Sequence, residues 1–462
     1  MSLFMSRVSR LTSKIGAETK LEKIFTVRVA GKIIGFWRKR RYNIVISVKV
    51  SFFFTIRNNA MSENLSWVLT DVENRIYVEE FSMNPSVLGP RAAAGCGGGW
   101  SITKTRLKGG VSDGVDVIDV NNGRLSFTVI PTRGMGFWHG SCDGNFIGWD
   151  SPARFPVHPN QINILEQGGL GWLKGFNECV VRCGCNSNGA PGIDRVRDNN
   201  GNIAEVMLTL HGKIALTPAC YVKIEIIPGD PAEIVITGVM EESRCFCPQY
   251  RLTTRYSTFV GSNKLSFKDQ VLNFADSPTE FMMLYHCNFG SPYLEGGSTM
   301  VAPVLEIAPR DARAAEDMDT WPSYRAPEAG YVEQCYFVDM GARADGTTLA
   351  MLRNAAGDKG TIVRWNKNQL PCFSQWKHTT GLNEGYVTGL EPATNYPNQK
   401  VFERERGRVV TLQAGQTYTI DMGLEFVSDK AGVAAIESEV KDVLGGRATK
   451  VDPQPVAKWS AI

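Results

Sequence analysis

Apolar and polar residues alternate repeatedly along the chain, as they do in strands with one buried face. The most regular example places apolar side chains at Tyr418, Ile420, Met422, Leu424 and Phe426. Similar short segments recur at 125–130, 206–210, 221–227, 234–240, 265–274, 281–285, 301–307 and 347–352. Gly, Pro, Asn and Asp separate these segments. The pattern therefore predicts many short strands.

Turn and helix signals fit the same architecture. Asn122-Gly123 precedes the segment at 125–130 and is a dipeptide that favours a tight hairpin with positive φ at both residues. Helical periodicity is sustained only over Ala434–Leu444, before Gly445-Gly446. Strands without intervening helices predict an all-β fold, a large antiparallel β-sandwich with few short helices. We expect one domain over residues 61–430, followed by a C-terminal helix and tail over 431–462.

Composition and charge indicate which kinds of molecule the protein can bind. Hydrophobic residues make up 43% of the chain and charged residues 21%, which is ordinary for a globular protein with a sizeable core. The net charge of +3 conceals a basic segment, residues 1–60, and an acidic body. Because binding to nucleic acid needs a clustered basic surface, the acidic body argues against nucleic acid as a partner.

The basic segment has three interpretations. It contains Arg38–Arg41 and an apolar run, Ile44–Phe54, that Lys49 interrupts and that is too short to span a bilayer. It could be a targeting peptide, a membrane-surface arm, or translated sequence upstream of a start at Met61. We favour the last, and expect a chain starting at Met61 to fold and bind like the full chain, in the cytoplasm and off the membrane.

Eleven cysteines are scattered along the chain, with Cys179, Cys183 and Cys185 close together. In a chain of this length they are typical of reduced thiols in a cytosolic core. A zinc site would combine Cys183 and Cys185 with Cys245, Cys247 and a histidine, but CxC pairs lack the usual ligand spacing. We therefore expect no metal.

Several catalytic motifs are missing from the sequence. The Gly-rich run at 95–99 lacks the GxxxxGK[ST] pattern of a phosphate loop. No GxSxG or HExxH motif occurs, which argues against an esterase or a zinc protease. We therefore expect no cofactor.

Two of the five histidines and one glutamate stand out by position. His211 and His286 lie at predicted strand ends in glycine-flanked settings, and Glu391 precedes a turn anchored by Pro397. Strand ends and the loops beyond them are where sites are commonly built. The alternative is that each residue is an ordinary structural histidine or a loop glutamate.

These residues belong to a series of short motifs that occur in order along the chain. They are Pro131-Thr132-Arg133-Gly134-Met135, Gly168-Gly169-Leu170-Gly171-Trp172-Leu173, Arg182-Cys183-Gly184, Leu210-His211-Gly212, Tyr285-His286-Cys287-Asn288-Phe289-Gly290 and Gly389-Leu390-Glu391-Pro392. With them the chain resembles the aldose 1-epimerase (galactose mutarotase) superfamily, in particular its less characterised branch of aldose 1-epimerase family proteins. The resemblance covers residues 61–430 and implies that superfamily's β-sandwich.

The resemblance also implies roles for individual residues. His286, with Phe289 three positions later, matches the general acid of mutarotases. Glu391 matches the general base, and His211 matches a sugar-binding histidine. Arg182 is the candidate for an arginine that contacts sugar hydroxyls, although its surroundings depart from the G-R-x-x-N-R pattern of the main family.

Three further residues in or near these motifs complete the predicted substrate-binding set. They are Asn288, Arg133 and Trp376. Trp376 would stack on the sugar, although a core position is its other interpretation. The expected partner is a small sugar, and the expected assembly is a monomer or a homodimer.

The chemistry implied is exchange between the α and β anomers of an aldose. A base removes the proton from the C1 hydroxyl while an acid protonates the ring oxygen, so the ring opens, rotates and closes again. One proton acceptor and one donor suffice, without metal or nucleotide.

Other functions stay open at this stage. Glycoside hydrolysis would need a second carboxylate near Glu391, for which Glu178, Glu241 and Asp269 are candidates. A sugar-binding module without catalysis would not need both His286 and Glu391. A phosphorylated sugar would call for several cations, for which Arg133, Arg182 and Lys377 are available.

Overall fold

The structure, a computed structural model, describes residues 65–88, 96 and 98–461. The prediction for residues 1–60 lies outside these residues. Two large sheets, of ten and fourteen strands, and one two-stranded ribbon account for the strands of the described chain. Their pairs are antiparallel, apart from one parallel pair at an edge of the larger sheet. The predicted antiparallel β-sandwich is confirmed.

The strands are numbered β1–β26 in chain order. The ten-stranded sheet has the spatial order β17 (Thr299–Val301), β20 (Thr347–Arg353), β21 (Gly360–Asn366), β25 (Thr417–Val427), β15 (Lys264–Asn273), β14 (Tyr250–Phe259), β13 (Glu233–Glu242), β12 (Tyr221–Ile227), β1 (Leu65–Asp71) and β2 (Ile76–Tyr77). The ribbon pairs β10 (Gly192–Arg197) with β11 (Ile203–Leu208).

The fourteen-stranded sheet carries the candidate site. Its order is β26 (Lys450–Val451), β18 (Val304–Pro309), β19 (Gln334–Met340), β22 (Cys372–His378), β23 (Val387–Ala393), β16 (Thr279–Phe289), β9 (Val180–Cys185), β7 (Gly136–Cys142), β6 (Leu125–Ile130), β5 (Asp116–Asn121), β4 (Ser101–Arg106) and β3 (Phe81–Met83). Two short strands join it from the side, β24 (Val410–Leu412) on β16 and β8 (Asn145–Ile147) on β7.

Apolar side chains from both sheets meet in one large core. Phe267 and Leu424 from the smaller sheet belong to the same buried cluster as Phe127, Phe137 and Tyr285 from the larger. The alternation predicted at 418–426 lies in β25, where Ile420, Met422, Leu424 and Phe426 are buried. Burial of the inward face thus explains the sequence pattern.

The predicted hairpin at Asn122-Gly123 joins β5 to β6, but with a different turn. Only Gly123 has positive φ, 96°. The Asn122 side chain instead accepts hydrogen bonds from the backbone N–H groups of Arg124 and Leu125, at 2.9 and 2.7 Å. These side-chain hydrogen bonds stabilise the turn, so the positive φ expected at Asn122 is not needed.

Helices are few and short, except near the C-terminus. The α-helices of the described residues are Pro85–Leu88, Glu166–Gly169, Ala312–Ala315, Lys400–Glu405 and Lys430–Leu444. Single 3₁₀ turns lie at Gly110–Ser112, Pro159–Gln161, Gly171–Gly175, Ile214–Leu216, Met318–Thr320 and Leu382–Glu384. None of the helices in the described part is long and apolar enough to cross a membrane.

The longest helix covers the outer face of the smaller sheet. Its start is capped by Asp429, whose carboxylate accepts from the Gly432 N–H at 2.7 Å, and it ends at Gly445 in the left-handed region. Val433, Ile436, Val440 and Val443 pack against residues of β20 and β21.

Loops cover part of the outer face of the larger sheet. A second small core forms where Trp149, Trp172 and Phe176 lie over side chains of β9, β16 and β23. These three neighbouring strands are therefore buried on both faces. The candidate site lies in this covered region.

Candidate functional site

His286 and Glu391 meet on two neighbouring strands. His286 lies inside β16 and Glu391 inside β23, where Cys287 pairs with Leu390. Both residues therefore point to the outer face of the sheet. His286 Nε2 and Glu391 Oε1 are 3.1 Å apart. Neither residue ends its strand, so the expected positions at a strand end and in a loop are corrected to strand interiors.

The pair is almost completely withdrawn from solvent. His286 is 5% exposed and Glu391 is 2% exposed. The Nε2–Oε1 contact is close but poorly aligned, and Glu391 Oε1 has no properly formed hydrogen bond within the described chain. A buried carboxylate oxygen without a partner is costly, and it is the kind of group that a ligand hydroxyl can satisfy.

Burial shifts the pKa of both groups toward their neutral forms. Loss of hydration, with a smaller contribution from Glu333, raises the pKa of Glu391 to about 8. Loss of hydration, followed by the nearby His211, lowers the pKa of His286 well below its usual range. Both shifts favour a neutral imidazole beside a protonated Glu391 carboxyl group at neutral pH.

Aromatic rings enclose His286. Ring centroids lie 5.0 Å away for Phe176, 5.2 Å for Trp376 and 5.4 Å for His211. Phe176 and His211 are buried, whereas Trp376 is partly exposed. Trp376 is thus the ring of this group that presents a surface to solvent.

Trp376 is held in place by two contacts. Its Nε1–H donates to Glu333 Oε2 at 2.7 Å. Its ring stacks on His378, with centroids 5.4 Å apart and an angle of 11° between the planes. The indole therefore has a fixed orientation at the edge of the site.

Glycines allow the surrounding segments to approach closely. A Cβ on Gly389 would lie 2.4 Å from Glu391 Oε1 and 3.2 Å from His286 Cε1. A Cβ on Gly171, beside Trp172, would lie 1.8 Å from the backbone oxygen of Asn163. Any side chain at either position would displace the His286–Glu391 pair or the loop that covers it.

His211 lies next to the pair in a constrained turn. Its φ is 58°, in the left-handed region, and its Nδ1 lies 2.8 Å from the backbone oxygen of Asn188. A carbonyl only accepts, so Nδ1 carries the proton, and Nε2, the accepting nitrogen, has no hydrogen-bond partner in the part of the chain that the structure describes. Burial lowers the pKa of His211 to about 4, which keeps the ring neutral.

Asn288 also reaches the pair, but its polar atoms are used within the protein. Its Oδ1 contacts His286 Nδ1, and its Nδ2 donates to the backbone oxygens of Glu178 and His286 at 2.9 and 3.1 Å. The side chain is fully buried. Each polar atom of the Asn288 side chain thus already has a partner within the described chain.

Arg182 lies on the opposite face of β9, between the two sheets. It forms a two-pronged ion pair with Asp269 and donates to Thr254, Tyr256 and the backbone oxygen of Met135. Its guanidinium is completely buried. The structure therefore does not bring Arg182 together with His286 and Glu391.

Arg133 is likewise held by internal partners, although its buried Nη2 has none among the described residues. Its Nε donates to Glu178 Oε1 at 2.7 Å and its Nη1 to the backbone oxygen of Val157 at 3.0 Å. The side chain is completely buried. Arg133, like Arg182, has the contacts of a structural ion pair.

The candidates for a second catalytic carboxylate all have cationic partners. Glu178 pairs with Arg133, Asp269 with Arg182, and the surface residue Glu241 with Arg251. None of these three residues therefore provides the free second carboxylate that glycoside hydrolysis needs.

The cysteine cluster has no ligand geometry. Cys179, Cys183 and Cys185 are buried, and burial raises the pKa of each thiol. Among the described residues, no group of three or more His, Cys, Asp or Glu side chains is arranged to hold a metal ion. Cys183 instead belongs to the apolar floor of the site.

Sequence reasoning missed several residues of the site. Trp172 and Gly389 lie inside motifs of the resemblance but have no predicted role, and Phe176, Glu333 and His378 are not among the predicted site residues. Only spatial proximity identifies Glu333 and His378, because they are distant in sequence from His286.

A separate cavity of about 380 Å³ lies elsewhere on the same sheet. It is lined by polar side chains that point outward from β4 to β7, among them Thr103, Asp119, Thr128 and His139. Solvated strands normally carry such residues. We place the site at His286 and Glu391 because, among the described residues, this is the one close contact between a histidine and a carboxylate, and it is buried.

Comparison with known proteins identifies a family and solved structures of similar fold. The family model described as "Domain of unknown function (DUF4432)" matches residues 112–426. The crystal structure of a "putative aldose 1-epimerase" from Klebsiella pneumoniae is 34% identical in sequence. The match covers 85% of this chain and 99% of that chain, with a TM-score of 0.79. No curated protein matches the sequence.

Two other structures are more distant. A galactose mutarotase-like protein from Clostridium acetobutylicum is 14% identical over 71% of this chain and 98% of its own, with a TM-score of 0.48. A galactose 1-epimerase from Lactobacillus acidophilus is 13% identical over 71% and 99%, with a TM-score of 0.45. These two likenesses are too weak to support an inference.

Proposed function

Since the chain belongs to the DUF4432 family and to the aldose 1-epimerase superfamily, we propose that it interconverts the α and β anomers of an aldose. The observation that carries this proposal is the 3.1 Å contact between His286 Nε2 and Glu391 Oε1 in a buried, ring-lined site. Anomer exchange needs one proton donor and one acceptor, and the pair supplies both.

His286 and Glu391 share one transferable proton, and this suits a reversible reaction. Transfer of the Glu391 proton to His286 Nε2 gives a carboxylate and an imidazolium. The carboxylate then takes the proton of the C1 hydroxyl while the imidazolium protonates the ring oxygen, and the C1–ring oxygen bond breaks. This step returns the proton to Glu391 and leaves His286 neutral, and ring closure on either face reverses it.

The neighbouring side chains would bind and orient the sugar. His211 is neutral and has its Nε2 free to hydrogen-bond a hydroxyl. Trp376 is partly exposed and fixed by Glu333, so it would stack on an apolar face of the ring. Such groups contribute to the rate by positioning the reacting atoms. Arg182 and Arg133 have no binding role in this proposal.

The test is magnetisation-exchange NMR over a panel of aldoses, with the unmodified protein and Glu391→Gln measured side by side. The amide keeps the size of the side chain but removes the proton carrier, so exchange should slow by about 10²-fold or more. Sugar affinity should change little. Glu405→Gln, at an exposed position, is the matched control and should behave like the unmodified protein.

The outcomes separate an enzyme from a binding module. If the unmodified protein binds a sugar but accelerates exchange of none, the proposal fails and a non-catalytic carbohydrate-binding function replaces it. If Glu391→Gln keeps full activity, the proposed chemistry is wrong even though the activity is present.

A further inference from the structure

The side-chain amide of Asn288 can take only one orientation. Its Nδ2 lies 2.9 Å from the backbone oxygen of Glu178 and 3.1 Å from that of His286. Both oxygens are acceptors only, so the end of the amide that faces them must be the NH₂ group. A flipped amide would place its own oxygen against both of them. Asn288 Oδ1 therefore faces His286 Nδ1.

This orientation fixes the proton on His286. An amide oxygen only accepts, so Nδ1 must be the donor in the hydrogen bond between the two side chains. We infer that Asn288 is a positioning residue that holds His286 in its Nδ1–H form. Nε2, which faces Glu391, is then the ring nitrogen that exchanges protons. The structural part of this inference is independent of the proposed function, and its catalytic meaning rests on that function.

The surroundings give the ring no equally good alternative. Asn288 is fully buried, so turning the imidazole over would leave Oδ1 facing a carbon in a site without solvent. Phe176 and Trp376 both crowd the ring, with centroids 5.0 and 5.2 Å away, and hinder that rotation. The hydrogen bond therefore selects the form, and the packing slows its exchange.

The neutral amide also has a consequence that a carboxylate would not have. A carboxylate beside Nδ1 would stabilise the imidazolium, whereas an amide fixes the tautomer without adding charge. The proton shared with Glu391 can then leave Nε2 again after each transfer. Asn288 thus supports exchange in both directions.

The experiment measures the tautomer directly, without substrate. The ¹⁵N NMR spectrum of the histidine-labelled full chain should show a protonated Nδ1 and an unprotonated Nε2 for His286, assigned by loss of the signals in His286→Asn. In Asn288→Leu the two tautomers should mix, and kcat should fall about 10- to 100-fold with KM nearly unchanged. Asn288→Asp should restore the Nδ1–H form and shift the pH–rate profile to higher pH.

Each result bears on the inference in a defined way. A protonated Nε2 and bare Nδ1 in the unmodified protein would overturn it, as would an unchanged tautomer in Asn288→Leu. Should Asn288→Leu fail to fold, the unmodified protein and Asn288→Asp still decide the question. An Nδ1–H tautomer in a protein without epimerase activity would refute the proposed function and leave this inference standing.

Discussion

At the scale of single residues, Glu391 makes the protein less stable as the pH rises. In the unfolded chain its carboxyl has its ordinary pKa of 4.5, whereas burial raises the pKa to about 8 in the fold. The folded state therefore binds more protons than the unfolded state between these values. The stability that the protonated group contributes is complete below pH 4.5 and is lost as the pH rises to about 8.

This linkage predicts the behaviour of Glu391→Gln. Glutamine keeps the shape of the protonated acid and cannot ionise, so the variant should gain stability relative to the unmodified protein through that pH window. The gain should approach about 1.4 kcal/mol for each pH unit. Urea unfolding at about pH 5 and about pH 8 measures it. A difference in unfolding free energy that stays constant with pH would show that Glu391 ionises normally.

Arg182 has the contacts of a residue that stabilises the fold. Arg182→Met would leave Asp269 as a buried, unpaired charge and should cost about 3–5 kcal/mol in the free energy of unfolding. The double variant Arg182→Met/Asp269→Leu should cost less, because no lone charge remains. Sugar affinity of the folded protein should be unchanged. Normal stability with lost sugar binding would instead support the role that the sequence resemblance implies.

At the scale of elements, the alternation of apolar and polar residues identifies strands that are buried on one face. It does not identify strands that are buried on both faces. β15 alternates buried and exposed residues and was predicted within one residue at each end. β9 and β23 are buried at every residue, because the other sheet covers one face and loops cover the other. Their sequences carry no period-two signal, and no strand was predicted there.

The same fact limits what the sequence says about the site. Glu391 could be identified only by its short motif, since β23 gives no periodic signal, whereas His286 directly follows the segment predicted at 281–285, which lies in β16. The motif around Arg182 was visible too, but which face of β9 the side chain occupies depends on packing against β15. Phe176 and Glu333 reach the site through tertiary contacts that no local pattern encodes.

Gly389 on β23 connects strand geometry to the proposed activity. Gly389→Ala would place a methyl group 2.4 Å from Glu391 Oε1 and 3.2 Å from His286 Cε1. The carboxylate must move, so we expect about a 10²-fold loss of anomer exchange while the protein stays folded. Exchange rates and thermal melting of the same samples provide the measurement.

Gly423 on β25 offers a matched control. Its added Cβ would meet its nearest neighbour, Arg364 Cβ, at 3.7 Å, an ordinary contact far from the pair. Gly423→Ala should keep its activity. Equal losses in both variants would mean that any alanine in these sheets disturbs the site, and the specific role of Gly389 would be lost.

At the scale of the whole molecule, the cysteines report on the integrity of the sandwich. Eight are buried, whereas Cys245 is exposed, and Cys220 and Cys247 are partly exposed. A thiol reagent should modify Cys245 first and the two partly exposed thiols more slowly. The eight buried thiols should react together, at the rate of global unfolding, as mass spectrometry of timed samples can show. Early reaction of Cys183 alone would reveal local opening at the site.

Strands and loops contribute different residues to the site, and this has an evolutionary consequence. His286 and Glu391 stand on neighbouring strands whose register fixes their distance, whereas Trp172 and Phe176 belong to a connecting segment. Insertions and substitutions are tolerated in connections far better than within paired strands. Under the proposed function, a lineage built on this sheet can therefore acquire a new sugar preference by remodelling the covering loops, while His286 and Glu391 keep their relative positions.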